Sequence, residues 1–333
     1  MANATDPVDV VITWVDTRDP DWRASFNAFA ENPQALSHGD EKNREWDTLR
    51  YVLRGLELYC PWVRTIHFVT AGQLPEWLDV SHPKLNVVDH RDFMPADSLP
   101  TFNSRALELN LHRIPDLAEN FVYFNDDMLV LSPVGPEHFF PHGRPAAMAI
   151  LNALQHGDSL SHAMLNNLEV INKHFDKRKV MASHRSQWFS RLYGSKLVRN
   201  LLLLPWPEFT GFYEPHLPMA MTKSAYASLW AAEPEVLSST TFSKFRDFRN
   251  VNPFLIRYWQ ICTGHFSAVS PTAYGRFYEF GRDDIMDIVT AIKDGTHALL
   301  CVNDGVNTEY ETQRPLLAAA MASALPRASG FEA

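Results

Sequence analysis

The sequence predicts an α/β fold wound around a mostly parallel sheet, and three observations carry that expectation. Short runs of β-branched and apolar residues alternate with segments of helical spacing through the first 140 residues. The runs are continuous rather than alternating in polarity, as in strands covered on both faces. Three of the four end in aspartate, and in parallel sheets the ligand lies beyond the carboxyl ends of the strands.

The first run, Val8–Val15 (VDVVITWV), ends in Asp16. Trp46–Tyr59 places Leu49, Leu53 and Leu56 on one helical stripe, and Pro61 stops it. Thr65–Thr70 (TIHFVT) is a second strand closed by Ala71-Gly72, and Leu85–Asp89 (LNVVD) a third. Phe102–Ile114 aligns Leu107, Leu111 and Ile114 as a helix ended by Pro115, and Phe121–Phe124 (FVYF) is a fourth strand running into acids. From about residue 141 the pattern is helical and less regular, with helices expected at Asn166–Phe175, Ser186–Leu204, Lys223–Ala232 and Pro253–Thr263. Leu299–Asp304 (LLCVND) reads as one more strand, and an alanine-rich helix beyond Pro315 runs into a frayed tail. Without an internal repeat or a low-complexity linker, one continuous unit with a helical insertion is expected rather than two independent domains.

With 46% hydrophobic and 12% aromatic residues the chain can bury a substantial core, which excludes disorder for the bulk of it. The formal charge is −9 and no run of Lys or Arg is long enough to track a phosphate backbone, so nucleic acid is not an expected partner. An acidic protein that handles phosphate must gather its few cations locally or recruit metal ions. Cys60, Cys262 and Cys301 have no CxxC spacing, and their odd number argues against a disulfide framework. The start MANATDPVDV lacks a basic, apolar signal segment, and the longest aliphatic run, Leu201–Leu204, is too short to span a bilayer. A cytoplasmic protein is expected, with peripheral association at the inner face of a membrane left open.

The acids after FVYF are the first candidates. Adjacent carboxylates such as Asp126-Asp127 repel and are costly to desolvate unless a cation compensates them, and a hard divalent ion bridging to phosphate does so. A solvated strand-end turn accounts for the same residues. Asp16 and Asn303-Asp304 pose the same choice between turn acid and ligand contact, and separate strand tips can converge on one site. Phosphate also needs cations, and Ser243–Arg249 (SKFRDFR) supplies Lys244, Arg246 and Arg249. His216, stiffened between Pro215 and Pro218, suits a general base or phosphate donor, although most of the 14 histidines must be structural. No GxxxxGK[ST], GxGxxG, GxSxG or HExxH pattern occurs, which disfavours P-loop kinases, dinucleotide oxidoreductases, elbow-type esterases and zincins.

Four ordered blocks together resemble the Stealth family of sugar-1-phosphate transferases: Asp9–Trp22 (DVVITWVDTRDPDW), about Arg44 to Phe140, Phe209–Phe266, and the short CVND of Cys301–Asp304. The resemblance implies a Rossmann-like, GT-A-like nucleotide-sugar transferase fold. Residues 1–140 would form the nucleotide-binding α/β part, 141–298 a mainly helical insertion with acceptor and phosphate contacts, and 299–315 a strand returning to the site, with 316–333 a helical or frayed tail. It implies transfer of hexose-1-phosphate from a nucleotide-diphosphate sugar to a carbohydrate hydroxyl, in capsular or exopolysaccharide synthesis. A phosphodiester forms and a nucleoside monophosphate leaves. By the same resemblance Trp14 and Asp16 hold the nucleotide, while Lys244 or Arg249, from its place in the basic segment, is expected in support of Arg246. Asp126, Asp127, Asn303 and Asp304 hold Mg²⁺ or Mn²⁺, Arg246 meets the migrating phosphate, and Asp127, slightly preferred, or His216 acts as base. The alternatives are a conventional metal-dependent glycosyltransferase releasing a diphosphate, and an inactive nucleotide-sugar-binding subunit. Three departures stand out: Thr17-Arg18 where the family commonly has Gly-Ser, Asn250 in place of an Asp, and Val302 in place of a Leu.

Overall fold

Val8–Thr13 forms strand β1, the middle of a five-stranded sheet in a computed structural model that describes residues 6–30, 44–155, 157, 159–305 and 307–333. Its apolar run is buried on both faces, with Val10, Val11 and Ile12 fully enclosed. β2 (Ile66–Thr70) and β4 (Asn120–Asn125) flank β1 in parallel, Val10 lying opposite Ile66 on one side and Val122 on the other. β3 (Leu85–Asp89) extends the sheet beyond β2, and with Met219–Thr222 (β7) beyond β4 the order is the Rossmann-like β3-β2-β1-β4-β7. The last of these, β7, runs antiparallel to β4. The chain therefore steps outward from β1 to β3, then returns to the other side of β1. That reversal opens a crevice at the carboxyl ends of β1 and β4, where Asp16 and Asn125-Asp126-Asp127 begin.

A second sheet brings distant sequence to the same place. β5 (Met128–Val130) follows the acids directly and pairs antiparallel with β10 (Leu299–Asn303), Met128 lying opposite Cys301. β9 (Arg276–Glu279) completes it in parallel with β10. Between β5 and β7, Ala146–Ala147 (β6) pairs with Ser267–Ala268 (β8). Helix α1 is Pro20–Phe29 and α2 is Thr48–Tyr59. α2 packs so tightly on β5 that a Cβ on Gly55 would lie 2.3 Å from the Val130 carbonyl oxygen. Only glycine allows that approach.

A buried polar lock ties β1 to its neighbours. The Asp9 side chain is 0% exposed and accepts from Arg64 Nε at 2.8 Å and Nη2 at 2.6 Å, from His67 Nε2 at 3.1 Å and from the Ala118 amide at 2.7 Å. Asn86 Nδ2 donates to His67 Nδ1, which leaves the ring proton on Nε2 to face Asp9.

Several local expectations are corrected. The helix expected over Phe102–Ile114 is only Ser104–Glu108 (α3), followed by a 3₁₀ turn at Leu111–Arg113. Asn110 interrupts it, its side-chain amide donating to the Ala106 carbonyl and to Thr241 Oγ1. The helix expected over Ser186–Leu204 breaks into Arg185–Trp188, a 3₁₀ segment Arg191–Lys196 and Leu197–Leu202. Gly194 at φ 55° and a Ser190 cap cause the break. The last helix runs Tyr310–Ala324 through Pro315, and the residues after it are docked rather than frayed. Phe331 is buried, and Glu332 receives Arg54 Nε and Nη2, both at 2.7 Å.

Candidate active site

The carboxyl ends of β1 and β4 and the end of β10 gather the expected acids around the segment Arg44–Trp46. Trp46 Nε1 donates to Asp304 Oδ2 at 3.1 Å, and Arg44 Nη1 stands 3.5 Å from Asp304 Oδ1. Glu45, between them, is 3.9 Å from the guanidinium of Arg18, which also pairs with Asp16 at 3.1 Å. The Asp126 carboxyl lies within electrostatic reach of both Asp127 and Glu45. Asp16, Asp126, Asp127 and Asp304 are thus linked in one chain of contacts and charge at this end of the sheet, through residues that sequence reasoning did not single out. Asp89, the other strand-end acid, does not join them. It accepts from Arg91 Nε and Nη2, each at 2.8 Å, and caps the turn that follows β3.

Electrostatics separate these acids. Desolvation, reinforced by Asp127 and Glu45, pushes the Asp126 carboxyl up to about 7. Asp127 is raised too, again by desolvation, with His216 and the Cys301 thiol partly opposing it. At Asp16 desolvation acts upward, but hydrogen bonds from the Arg18 side chain and backbone outweigh it and hold the carboxyl below the usual range. The site therefore holds a compensated acid beside a pair that is compensated only in part. Asp127 Oδ1 is buried with no hydrogen-bond partner among the described residues.

Asp127, His216 and Cys301 offer one ligand atom each within 4.8 Å of one another. Their convergence follows from pairing: the Val302 amide donates to the Asp127 carbonyl at 3.1 Å, fixing Cys301 against the acid. Burial, with Asp127 adding to it, raises the Cys301 thiol well above its ordinary value, so it acts as a donor to the carboxylate rather than as a nucleophile. All three cysteines are free and buried. Period-two alternation puts Cys301 and Asn303 on one face of β10, a signal that could have marked Cys301 in advance.

His216 sits at φ 49°, a left-handed conformation that is costly for a residue with a Cβ. The surrounding loop enforces it. Arg257 pairs with Glu214, the Tyr213 amide donates to Ile150 O at 2.8 Å, and Tyr274 OH donates to Pro218 O at 2.8 Å. The imidazole meets Phe277 edge-on at 5.4 Å.

Arg246 reaches the same end of the sheet by another route. Its Nη2 donates to Ser104 Oγ at 2.9 Å, and its charge opposes the desolvation that raises Glu108. Glu108 in turn accepts from Tyr123 OH at 3.1 Å, and Tyr123 bonds Thr13 at the tip of β1. Lys244 and Arg249, expected in support of Arg246, are engaged elsewhere. Lys244 Nζ donates to the carbonyls of Leu99 and Pro100, and Arg249 pairs with Asp247 in solvent. Trp14 places its ring 5.7 Å from Phe68, partly in the core. Asn250 is buried and accepts from Asn103 Nδ2 and the Asp247 amide, which gives it a structural position. Asn303 Nδ2 donates to the Asp304 carbonyl at 3.0 Å, shaping the turn.

A Rossmann-like sheet with an acid cluster at its switch point, faced by a histidine and arginines, defines a phosphate-handling α/β enzyme class. Residues 42–147 match Stealth protein CR2, conserved region 2. The chain is 36% identical over 329 residues to the capsular polysaccharide phosphotransferase WcwK of Streptococcus pneumoniae, covering 98% of each. It is 36% identical to the exopolysaccharide phosphotransferase cps2G of Lactiplantibacillus plantarum, covering 98% of this chain and 96% of that one. The receptor polysaccharide phosphotransferase WefC of Streptococcus gordonii is also 36% identical, with 98% of each chain covered. The chain belongs to the Stealth family.

Proposed function

We propose that this protein transfers a sugar-1-phosphate from a nucleotide-diphosphate sugar to a carbohydrate hydroxyl in capsular or exopolysaccharide synthesis. A phosphodiester forms and a nucleoside monophosphate leaves. The observation that carries this reading is likeness over nearly the whole chain to proteins named as polysaccharide phosphotransferases. The cleft is chemically suited to it. Asp126 and Asp127 are adjacent and desolvated, and a buried Asp127 oxygen lacks a hydrogen-bond partner among the described residues, so the donor set fits a hard divalent cation. Magnesium or manganese held by Asp126 and Asp127, with Asn303 and Asp304 adjoining, would neutralise charge on the diphosphate.

The remaining work falls to the protein's own groups. Arg246 meets charge on the migrating phosphoryl oxygens, with Arg18 and Arg44 nearer the nucleotide side. Trp14 and Asp16, at the tip of β1, contact the nucleotide. His216 takes the proton of the acceptor hydroxyl, while Asp127, committed to the cation, orients it. This reverses the preference for Asp127 drawn from sequence, because ligation and base duty compete for the same oxygens. The test is incubation with a panel of nucleotide sugars, carbohydrate acceptor and Mg²⁺ or Mn²⁺, followed by phosphorus NMR. A phosphodiester resonance with released monophosphate is expected and should vanish with chelator. Released diphosphate without phosphodiester would replace this reading with ordinary glycosyl transfer.

A further inference from the structure

Away from the cleft, the stretch between Asp176 and Glu208 contains no acidic residue, although the chain as a whole carries 39 acids against 30 Lys and Arg. Seven of those cations fall inside it. Arg178, Lys179, Arg185, Arg191 and Arg199 are exposed. The same stretch exposes large apolar side chains that folding gives no reason to display: Leu192, Val198, Leu201, Leu202, Leu204 and Trp206 are between 40% and 67% exposed.

These side chains are presented on a fixed support. In the helix Leu197–Leu202, positions 198, 201 and 202 share one face by their i, i+3, i+4 spacing. Asn200 anchors the opposite face, accepting from the Leu151 amide and donating to the carbonyls of Ala149 and Trp188. Buried Lys177 staples the following turn, its Nζ donating to Leu203 O at 2.6 Å and Trp206 O at 2.9 Å. Leu204 and Trp206 are therefore held beside the exposed face.

We propose that this face docks the protein on the surface of an anionic lipid bilayer. Leucine and tryptophan set among arginine and lysine is the composition of an interfacial element: the apolar groups enter the headgroup boundary and the cations meet lipid phosphates. Charge selects this occupant over a second copy of the chain, because two such faces would oppose their exposed cations. Association is peripheral, since no helix among the described residues is long and apolar enough to cross a membrane.

The test is cosedimentation with vesicles of phosphatidylcholine alone and of phosphatidylcholine with an equal part of phosphatidylglycerol. The protein is expected to bind the anionic vesicles, and added salt should weaken binding. Leu201→Ser/Leu202→Ser/Trp206→Ser should lower the partition coefficient at least about tenfold. Arg178→Gln/Lys179→Gln/Arg185→Gln should lower it about tenfold at low salt and flatten its salt dependence. All six positions are exposed and outside the cleft, so circular dichroism and donor turnover in solution should match the parent protein. The proposal is overturned if the parent ignores anionic vesicles, binds neutral ones equally, or loses nothing in either variant. A dimer that the apolar variant dissolves, with no vesicle binding, would assign the face to a second copy instead.

Discussion

Replacing Asp9 with asparagine removes the charge around which β1 is fastened. Burial alone would raise this carboxyl, but hydrogen bonds from Arg64, His67 and the Ala118 amide outweigh it and hold it at about 2, against an ordinary 3.8. That difference stabilises the charged, folded state by about 2.5 kcal/mol at neutral pH. Because the folded value is depressed, the stabilisation is complete above the ordinary value of 3.8 and fades as pH falls toward about 2. Asparagine also turns an amide toward at least one of the donors, so the loss at pH 7 is about 2.5–4 kcal/mol. At about 2.1 cal/mol/K per residue, unfolding this chain has an entropy of about 0.7 kcal/mol/K, so Tm should fall by about 3–6 °C. Chemical unfolding of both proteins between pH 7 and 3 measures the gap. A difference below about 0.5 kcal/mol at pH 7, or one that fails to narrow below pH 4, would refute the lock.

Asp126→Asn relieves repulsion between neighbouring carboxylates, so it should raise Tm in metal-free buffer while abolishing transfer; calorimetry with a turnover assay reads both, and a lower Tm contradicts the account. His216→Ala should reduce kcat about 10²–10⁴-fold with little change in donor KM, measured by monophosphate release, and near-native turnover would remove it from the mechanism. Gly55→Ala drives a Cβ against the Val130 carbonyl and should cost about 1–3 kcal/mol in unfolding experiments, whereas an unchanged midpoint would show that α2 can move off β5.

The doubly wound sheet was legible because its strands are continuous apolar runs, a pattern that β1, β2 and β4 keep almost to the residue. Helix α1 went unread although Asp19 caps it by accepting from the Trp22 amide and Pro20 opens it, a pairing that signals a helix start. The broken segments near Asn110 and Gly194 hid inside good leucine spacing, because apolar periodicity does not register a single side chain competing for a backbone carbonyl. Within the site, strand-end acids were visible as candidates, but Asp89 shows that position alone does not separate a cap from a cleft residue. Glu45 became visible only through long-range pairing, and the alternation that flags Cys301 gained meaning only with that pairing, since β10 and the 44–46 segment reach the acids from opposite ends of the chain. Lys244 and Arg249 looked equivalent to Arg246 in sequence, yet nearby carbonyls and Asp247 claim them.

In the proposed reaction the phosphate next to the donor sugar travels with it. A nucleotide sugar carrying ³²P at that phosphate, incubated with enzyme, acceptor and Mg²⁺ or Mn²⁺, tests it directly. The label should appear in the carbohydrate product, and the released nucleotide should be an unlabelled monophosphate. Label retained in a nucleoside diphosphate, with an unlabelled glycosylated product, would contradict it.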